Sequence, residues 1–128
     1  MNLLLDTHAF IWLDGDKTKL STTAARACSD PQNTLWLSVA SAWEMQIKIA
    51  LGKLRLQRPL AQIIGDQERT NGIQILDVQL VHVLELQNLP SYHKDPFDRL
   101  IIAQARYAGL ELLTNDSEFS AYGVPIVW

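Results

Sequence analysis

Four carboxylates, Asp6, Glu44, Asp98 and Asp116, stand where strands give way to helices. Asp6 closes the apolar run Asn2-Leu3-Leu4-Leu5, and Glu44 lies six residues beyond the strand-like segment Thr34 to Ser38. Asp116 follows the segment Leu110 to Thr114, and Asp98 sits in the first turn of the helix that feeds it. In open parallel sheets, sites form beyond the carboxyl ends of the strands, so all four acids point at one edge. Carboxylates brought together repel one another and need a counter-charge. Hard divalent cations such as Mg²⁺ or Mn²⁺ supply it, because they prefer oxygen ligands and share themselves with substrate phosphates. No cysteine accompanies the acids, and the histidines near that edge are His8 and His93. The pattern points to metal-assisted phosphodiester hydrolysis.

Each acid also has a purely structural reading. Ser41-Ala42-Trp43-Glu44 has the form of a capping box, in which Glu44 reaches back to the Ser41 amide. Asp95-Pro96-Phe97-Asp98 places an N-cap aspartate before a proline at the first helical position, with a second acid in the first turn. Asp6 and Asp116 are acceptable N-caps as well. Capping accounts for each residue singly and leaves their common edge unexplained.

The elements that must position these groups alternate between strand and helix. Asn2 to Leu5 reads as a buried strand, and His8 to Leu13 as a short helix stopped by Asp14-Gly15-Asp16. Ser21 caps a helix running to Ser29, and Thr34 to Ser38 is the second strand. Ser41 is expected to start a third helix that ends near Gly52, followed by a fourth from Leu60 to Arg69. Ile73 to Leu76 is a strand, and Asp77 is expected to cap a helix to about Gln87. A loop from Asn88 to Lys94 leads to the helix opened by Asp95-Pro96 and closed by Gly109. Leu110 to Thr114 is a strand, Asp116 to Tyr122 a short turn or helix, and Pro125 to Trp128 the last strand. Strands apolar on both faces, alternating with helices, predict an α/β fold: a central parallel sheet flanked by helices.

The 128 residues suit one domain, expected to span 1–128. Hydrophobic residues make up 48% and charged residues 20%, which excludes a disordered or low-complexity chain. The longest stretch without an ionisable side chain, Pro31 to Trp43, falls short of the roughly 20 residues a membrane helix needs. The lone Cys28 allows neither an internal disulfide nor a cysteine zinc site, so a cytoplasmic protein is expected. The net charge of −3 excludes a protein that simply coats nucleic acid, so contact with nucleic acid must be local.

Taken in order, five segments resemble the PIN-domain ribonucleases, specifically VapC-type toxins of type II toxin–antitoxin systems. They are Leu4-Leu5-Asp6-Thr7-His8, Ser41 to Lys48, Leu51 to Leu54, His93 to Ala105, and Leu113-Thr114-Asn115-Asp116. The resemblance spans nearly the whole chain. It implies a PIN-like domain in which Asp6, Glu44, Asp98 and Asp116 are the catalytic, metal-binding quartet for one or two Mg²⁺ (or Mn²⁺) ions. Water, rather than a side chain, would be the nucleophile. Thr7 and Thr114 adjoin the acids and are placed to orient them, while Asp95 belongs to the motif but has the character of a helix cap. Arg99 is a candidate phosphate contact. The resemblance further implies an RNA substrate, such as a transfer or ribosomal RNA, a cognate antitoxin, and a homodimer.

Other readings fit less well. A phospho-acceptor receiver domain needs a lysine at the end of a late strand, where Thr114-Asn115-Asp116 stands. A phosphatase with an aspartyl nucleophile needs a second aspartate where His8 stands. A pure binding module, or a housekeeping RNA-processing nuclease, remains as an alternative. Two further features bear on partners. Between Met45 and Gly65 the bases Lys48, Lys53, Arg55 and Arg58 occur without any acid, either as a solvated surface or as an RNA track. In the third helix Trp43, Ile47, Ala50 and Leu51 form one apolar stripe, expected to pack on the sheet. Ala42, Met45 and Ile49 form a second, to be covered by the fourth helix or by another copy of the chain.

Overall fold

The computed structural model describes residues 1–92 and 94–128. The sequence's alternation is realised as β1 (Asn2–Leu5), α1 (Thr7–Gly15), α2 (Thr22–Ser29), β2 (Thr34–Ser38) and α3 (Val39–Ala50). There follow α4 (Leu60–Asn71), β3 (Gln74–Leu76), α5 (Leu80–Glu85), α6 (Pro96–Ala108), β4 (Glu111–Leu113) and β5 (Ile126–Val127). The strands form a five-stranded sheet in the order β3-β2-β1-β4-β5. Every pairing in it is parallel. This is the expected α/β architecture.

Parallel strands covered on both sides must be apolar at every position, and β1 shows the consequence. Leu3 and Leu5 join the core built with Phe10, Leu13, Ala24, Leu35, Leu37 and Ile63. Leu4 points the other way, into the core built with Ile101, Ile102, Ala105, Leu112 and Phe119. All three leucines are fully buried. Helices α1, α2 and α4 therefore cover one face of the sheet and α6 the other.

The chain leaves β1 toward β2 on one side and returns through α6 to β4 on the other. The register aligns Leu5 with Leu113, so the first residues past β1 and β4 emerge side by side. The Asp6 amide extends the pairing by donating to the Leu113 carbonyl at 3.1 Å. This reversal of strand order is the place where α/β sheets open a crevice.

Three expectations are corrected. Helix α3 starts at Val39 with Ser38 as its N-cap, so Ser41 lies inside the helix and caps nothing. Ser38 wins because its hydroxyl serves both ends of the junction: it accepts from the Ala40 amide at 3.0 Å and donates to Gln104 Oε1 at 2.5 Å. Helix α5 begins at Leu80, not Asp77, and gives way to a 3₁₀ turn at Leu86–Asn88. The Asp77 carbonyl instead accepts from Gln104 Nε2 at 3.3 Å, and the Gln79 amide donates to His82 Nδ1 at 3.0 Å. The two stripes of α3 exchange roles. Met45 is fully buried, whereas Trp43 and Leu51 are 60% and 63% exposed. Helix α3 packs against both α1 and α6 instead of lying flat on the sheet, which turns its Met45 side inward.

Gln104, fully buried on α6, thus ties the end of β2 to the segment after β3. Gln104→Leu takes the acceptor from the buried Ser38 hydroxyl and a donor from the Asp77 carbonyl, and is expected to lower stability by about 1 kcal/mol. The midpoint of urea unfolding measures it; an unchanged midpoint would show that the bridge contributes nothing.

Candidate active site

Beyond the carboxyl ends of β1 and β4, a small cup of about 110 Å³ is lined by Asp6, Thr7, His8, Glu44, Lys48, Asp95, Asp98, Asp116 and Phe119. Four elements deliver the acids. Asp6 is the N-cap of α1, Glu44 lies in the second turn of α3, and Asp98 lies in the first turn of α6. Asp116 is the N-cap of the 3₁₀ turn Ser117–Tyr122. A larger depression of about 430 Å³ lies at the opposite end of β2 and β3, near Cys28, Thr34 and Gln74. Its lining contains one carboxylate, Asp30, and so none of the converging chemistry of the smaller cup.

Asp6 is buried, and both of its oxygens are used. Oδ1 accepts from the Ala9 amide at 2.7 Å, and Oδ2 accepts from Thr114 Oγ1 at 2.5 Å. The Thr114 hydroxyl in turn accepts from the Asp116 amide at 3.0 Å, linking two of the acids through one residue. Burial raises the Asp6 pKa above the ordinary aspartate range. The bonds from Thr114 and Ala9 and the charge of His8 oppose that rise, and the Asp116 charge adds to it.

Glu44 is buried as well and forms no capping box. Its Oε1 accepts from Thr7 Oγ1 at 2.6 Å, and its Oε2 pairs with Lys48 Nζ at 2.9 Å. The Lys48 pKa is raised, chiefly by the hydrogen bond to Glu44 and then by the charges of Glu44, Asp95 and Asp98. Asp95 caps α6, accepting from the Phe97 and Asp98 amides at 2.8 and 3.3 Å.

The four acids, the two threonines and Asp95 therefore share one locality, with Lys48 among them. The other bases lie elsewhere. Arg58 pairs with Asp14 and Asp66 at 2.8 and 3.2 Å. Arg99 donates to the Pro90 and Leu86 carbonyls at 2.8 and 3.4 Å, which fixes the segment before α6. Lys53 and Arg55 are exposed in the stretch between α3 and α4. His93 lies outside the described residues. The sequence reading missed Phe119, which lines the cup; its signal was an apolar residue in a polar turn, one turn beyond Asp116.

The donors are oxygens of carboxylates and hydroxyls, the set that suits a hard divalent cation. Among the described residues, no three His, Cys, Asp or Glu side chains are drawn together tightly enough to hold a metal ion on their own. An open carboxylate cup of this kind leaves coordination positions to water and substrate, as Mg²⁺ sites commonly do.

The PIN domain family model matches residues 3–125. The chain belongs to the PIN domain family. Ribonuclease VapC16 of Mycobacterium tuberculosis is 42% identical over 53 residues, covering 41% of this chain. That match spans 38% of the length of VapC16. Among solved structures, the PIN domain resembles VapBC2 from Rickettsia felis, bound to a promoter DNA fragment, with a TM-score of 0.69 and 16% identity. The alignment covers 98% of this chain and 97% of that one. It also resembles VapC20 of Mycobacterium tuberculosis, described as a sarcin-ricin loop cleaving toxin. There the TM-score is 0.66 at 18% identity, over 95% of both chains. Among the described residues of the PIN domain, no helix is long and apolar enough to cross a membrane.

The burial of Asp6 has a testable cost. Folding raises its pKa, so the ionised form weakens the fold above that pKa, and the penalty fades as pH falls through it toward the ordinary aspartate range. Asp6→Asn keeps a good N-cap and removes the charge. With chelator present at about pH 7.5, its melting temperature is expected to exceed wild type by roughly 2–6 °C, the gap narrowing as pH is lowered. Thermal melts across a pH series measure this; a less stable Asn variant at neutral pH would contradict it.

Proposed function

We propose that this PIN domain is a divalent-metal-dependent endoribonuclease and the toxin of a VapC-type toxin–antitoxin pair. The observation that carries this reading is the meeting of Asp6, Glu44, Asp98 and Asp116, from four separate elements, in one cup beside Thr7 and Thr114. The family, the ribonuclease name of the VapC16 relative and the toxin description of VapC20 support it. The substrate is RNA, of the transfer or ribosomal class, met in the cytoplasm. A cognate antitoxin is the protein partner, a reading supported by a structural neighbour from Klebsiella pneumoniae described as a toxin–antitoxin complex.

In this reading Asp6, Glu44, Asp98 and Asp116 hold Mg²⁺ or Mn²⁺, with Asp95 as an auxiliary acid. Bound there, the ion would acidify water and offset charge on the scissile phosphate. The chain's own groups prepare for that. Thr114 and the Ala9 amide fix the Asp6 carboxylate, so its remaining lone pairs keep one direction. Thr7 does the same for Glu44. The cup's negative charge repels RNA until a cation is present, which makes cleavage conditional on metal. Lys53 and Arg55 remain as the exposed part of the proposed RNA track; Arg58 and Arg99 serve the fold.

Asp98→Asn is expected to lower the rate of RNA cleavage at least 100-fold with an unchanged circular dichroism spectrum. A folded Asp98→Asn protein that cleaves a structured RNA at the wild-type rate would overturn the reading, as would undiminished wild-type cleavage in excess chelator.

The homodimer is assigned to the exposed ridge of α3. Trp43, Ile47 and Leu51 recur at four-residue spacing on its outer side, a continuous apolar edge that a second copy can meet symmetrically. Trp43 is braced by Phe97 of α6, with ring centroids 5.1 Å apart and edge to face. Ile47→Glu with Leu51→Glu is expected to halve the mass in solution while the fold persists, as read by light scattering. A wild-type monomer, or a double variant that stays dimeric, would remove this ridge as the contact. Met45 is the wrong site for this test, because a charge there lands in the core.

A further inference from the structure

Among the described residues, the cup is lined by five carboxylates, the His8 imidazole and one ammonium, that of Lys48. Lys48 is not a loose surface base. One turn after Glu44 on α3, it reaches back to Glu44 Oε2 at 2.9 Å, while Thr7 occupies Oε1 at 2.6 Å. Both Glu44 oxygens therefore have partners from the chain itself. Asp6, by contrast, is hydrogen-bonded by a hydroxyl and an amide, both neutral donors, with the charge of His8 nearby. On the α3 side of the cup, then, Glu44 carries its own fixed cation.

We propose that Lys48 is a built-in counter-ion which takes the place of a second divalent cation at Glu44, so that the site binds one metal ion per chain. This inference rests on the metal-dependent reading above. The reason is charge. An ammonium 2.9 Å from Glu44 already offsets that carboxylate and opposes a second divalent cation settling there beside the first. Lys48 pivots on a four-carbon stem and its side chain is 38% exposed, so it can stay with Glu44 while its remaining donors face a phosphate oxygen. Lysine is the suitable residue: a compact point charge resembles a small ion more than a planar guanidinium does.

Mn²⁺ binding without RNA tests the assignment, using calorimetry for stoichiometry and electron paramagnetic resonance for free ion. Wild type is expected to take up one Mn²⁺ per chain. Lys48→Met, nearly isosteric and neutral, is expected to take up a second at Glu44; Lys48→Gln repeats the test if the Met variant fails to fold. Lys48→Arg is expected to keep a count of one. Two ions on the wild type, or one ion on the neutral variants at whatever affinity, would overturn the proposal. A wild type that binds no Mn²⁺ would overturn it together with the metal-dependent reading. One Mn²⁺ throughout, with Asp98→Asn inactive, would overturn the role of Lys48 alone.

Discussion

The parallel pairing of β1 with β4 is the constraint on which the rest of the structure depends. Once Leu5 lies opposite Leu113, Asp6 and Thr114 leave the sheet as neighbours, and their hydrogen bond follows from register. A one-residue slip would exchange the faces of Leu3, Leu4 and Leu5 between the two cores. It would also carry Asp6 away from Thr114. The packing of the sheet and the geometry of the site are therefore fixed by the same apolar contacts.

Holding acids together opposes folding, and the surroundings show how it is offset. Asp6 and Asp95 each cap a helix, where the exposed amides and the helix dipole favour negative charge. Thr7, Thr114 and Lys48 add local partners. On the outer surface acids also meet bases in ordinary exposed pairs such as Arg69 with Asp66. Structural and functional readings of the acids are thus complementary: the caps are what make charged residues tolerable at that edge.

Helix α3 connects the site to its surroundings. It carries Glu44 and Lys48 on the side facing the cup, Met45 toward the core, and Trp43, Ile47 and Leu51 outward. Its contacts with α1 and α6 place three functions on three sides of one helix, and Gln104 secures its first turn through Ser38. A change of partner along the outer ridge would act on the same rigid element that presents Glu44.

Much of this was determined by the sequence alone. The leucine-rich β1, the Asp95-Pro96 helix start and Gly109 at its end are local signals, and they specify strand and helix wherever the chain places them. Asp6, Asp98 and Asp116 were legible because each follows a strand or opens a helix in a parallel α/β pattern, whereas Glu44, read as a capping-box acid, stands in the second turn of α3. What tertiary structure decided is what depends on partners distant in sequence. Ser38 and Ser41 are equally good caps by type, and only the distant Gln104 makes Ser38 the one used. Two apolar stripes on α3 look alike in a helical projection, and only the contacts with α1 and α6 determine which is buried. The bases from Lys48 to Arg58 form one run in the chain, but Asp14, 44 residues before Arg58, draws that arginine away while Glu44 keeps Lys48 in the cup. Local propensity acts over a few residues, and the choice among equal local options falls to whichever buried polar or apolar partner the fold brings near.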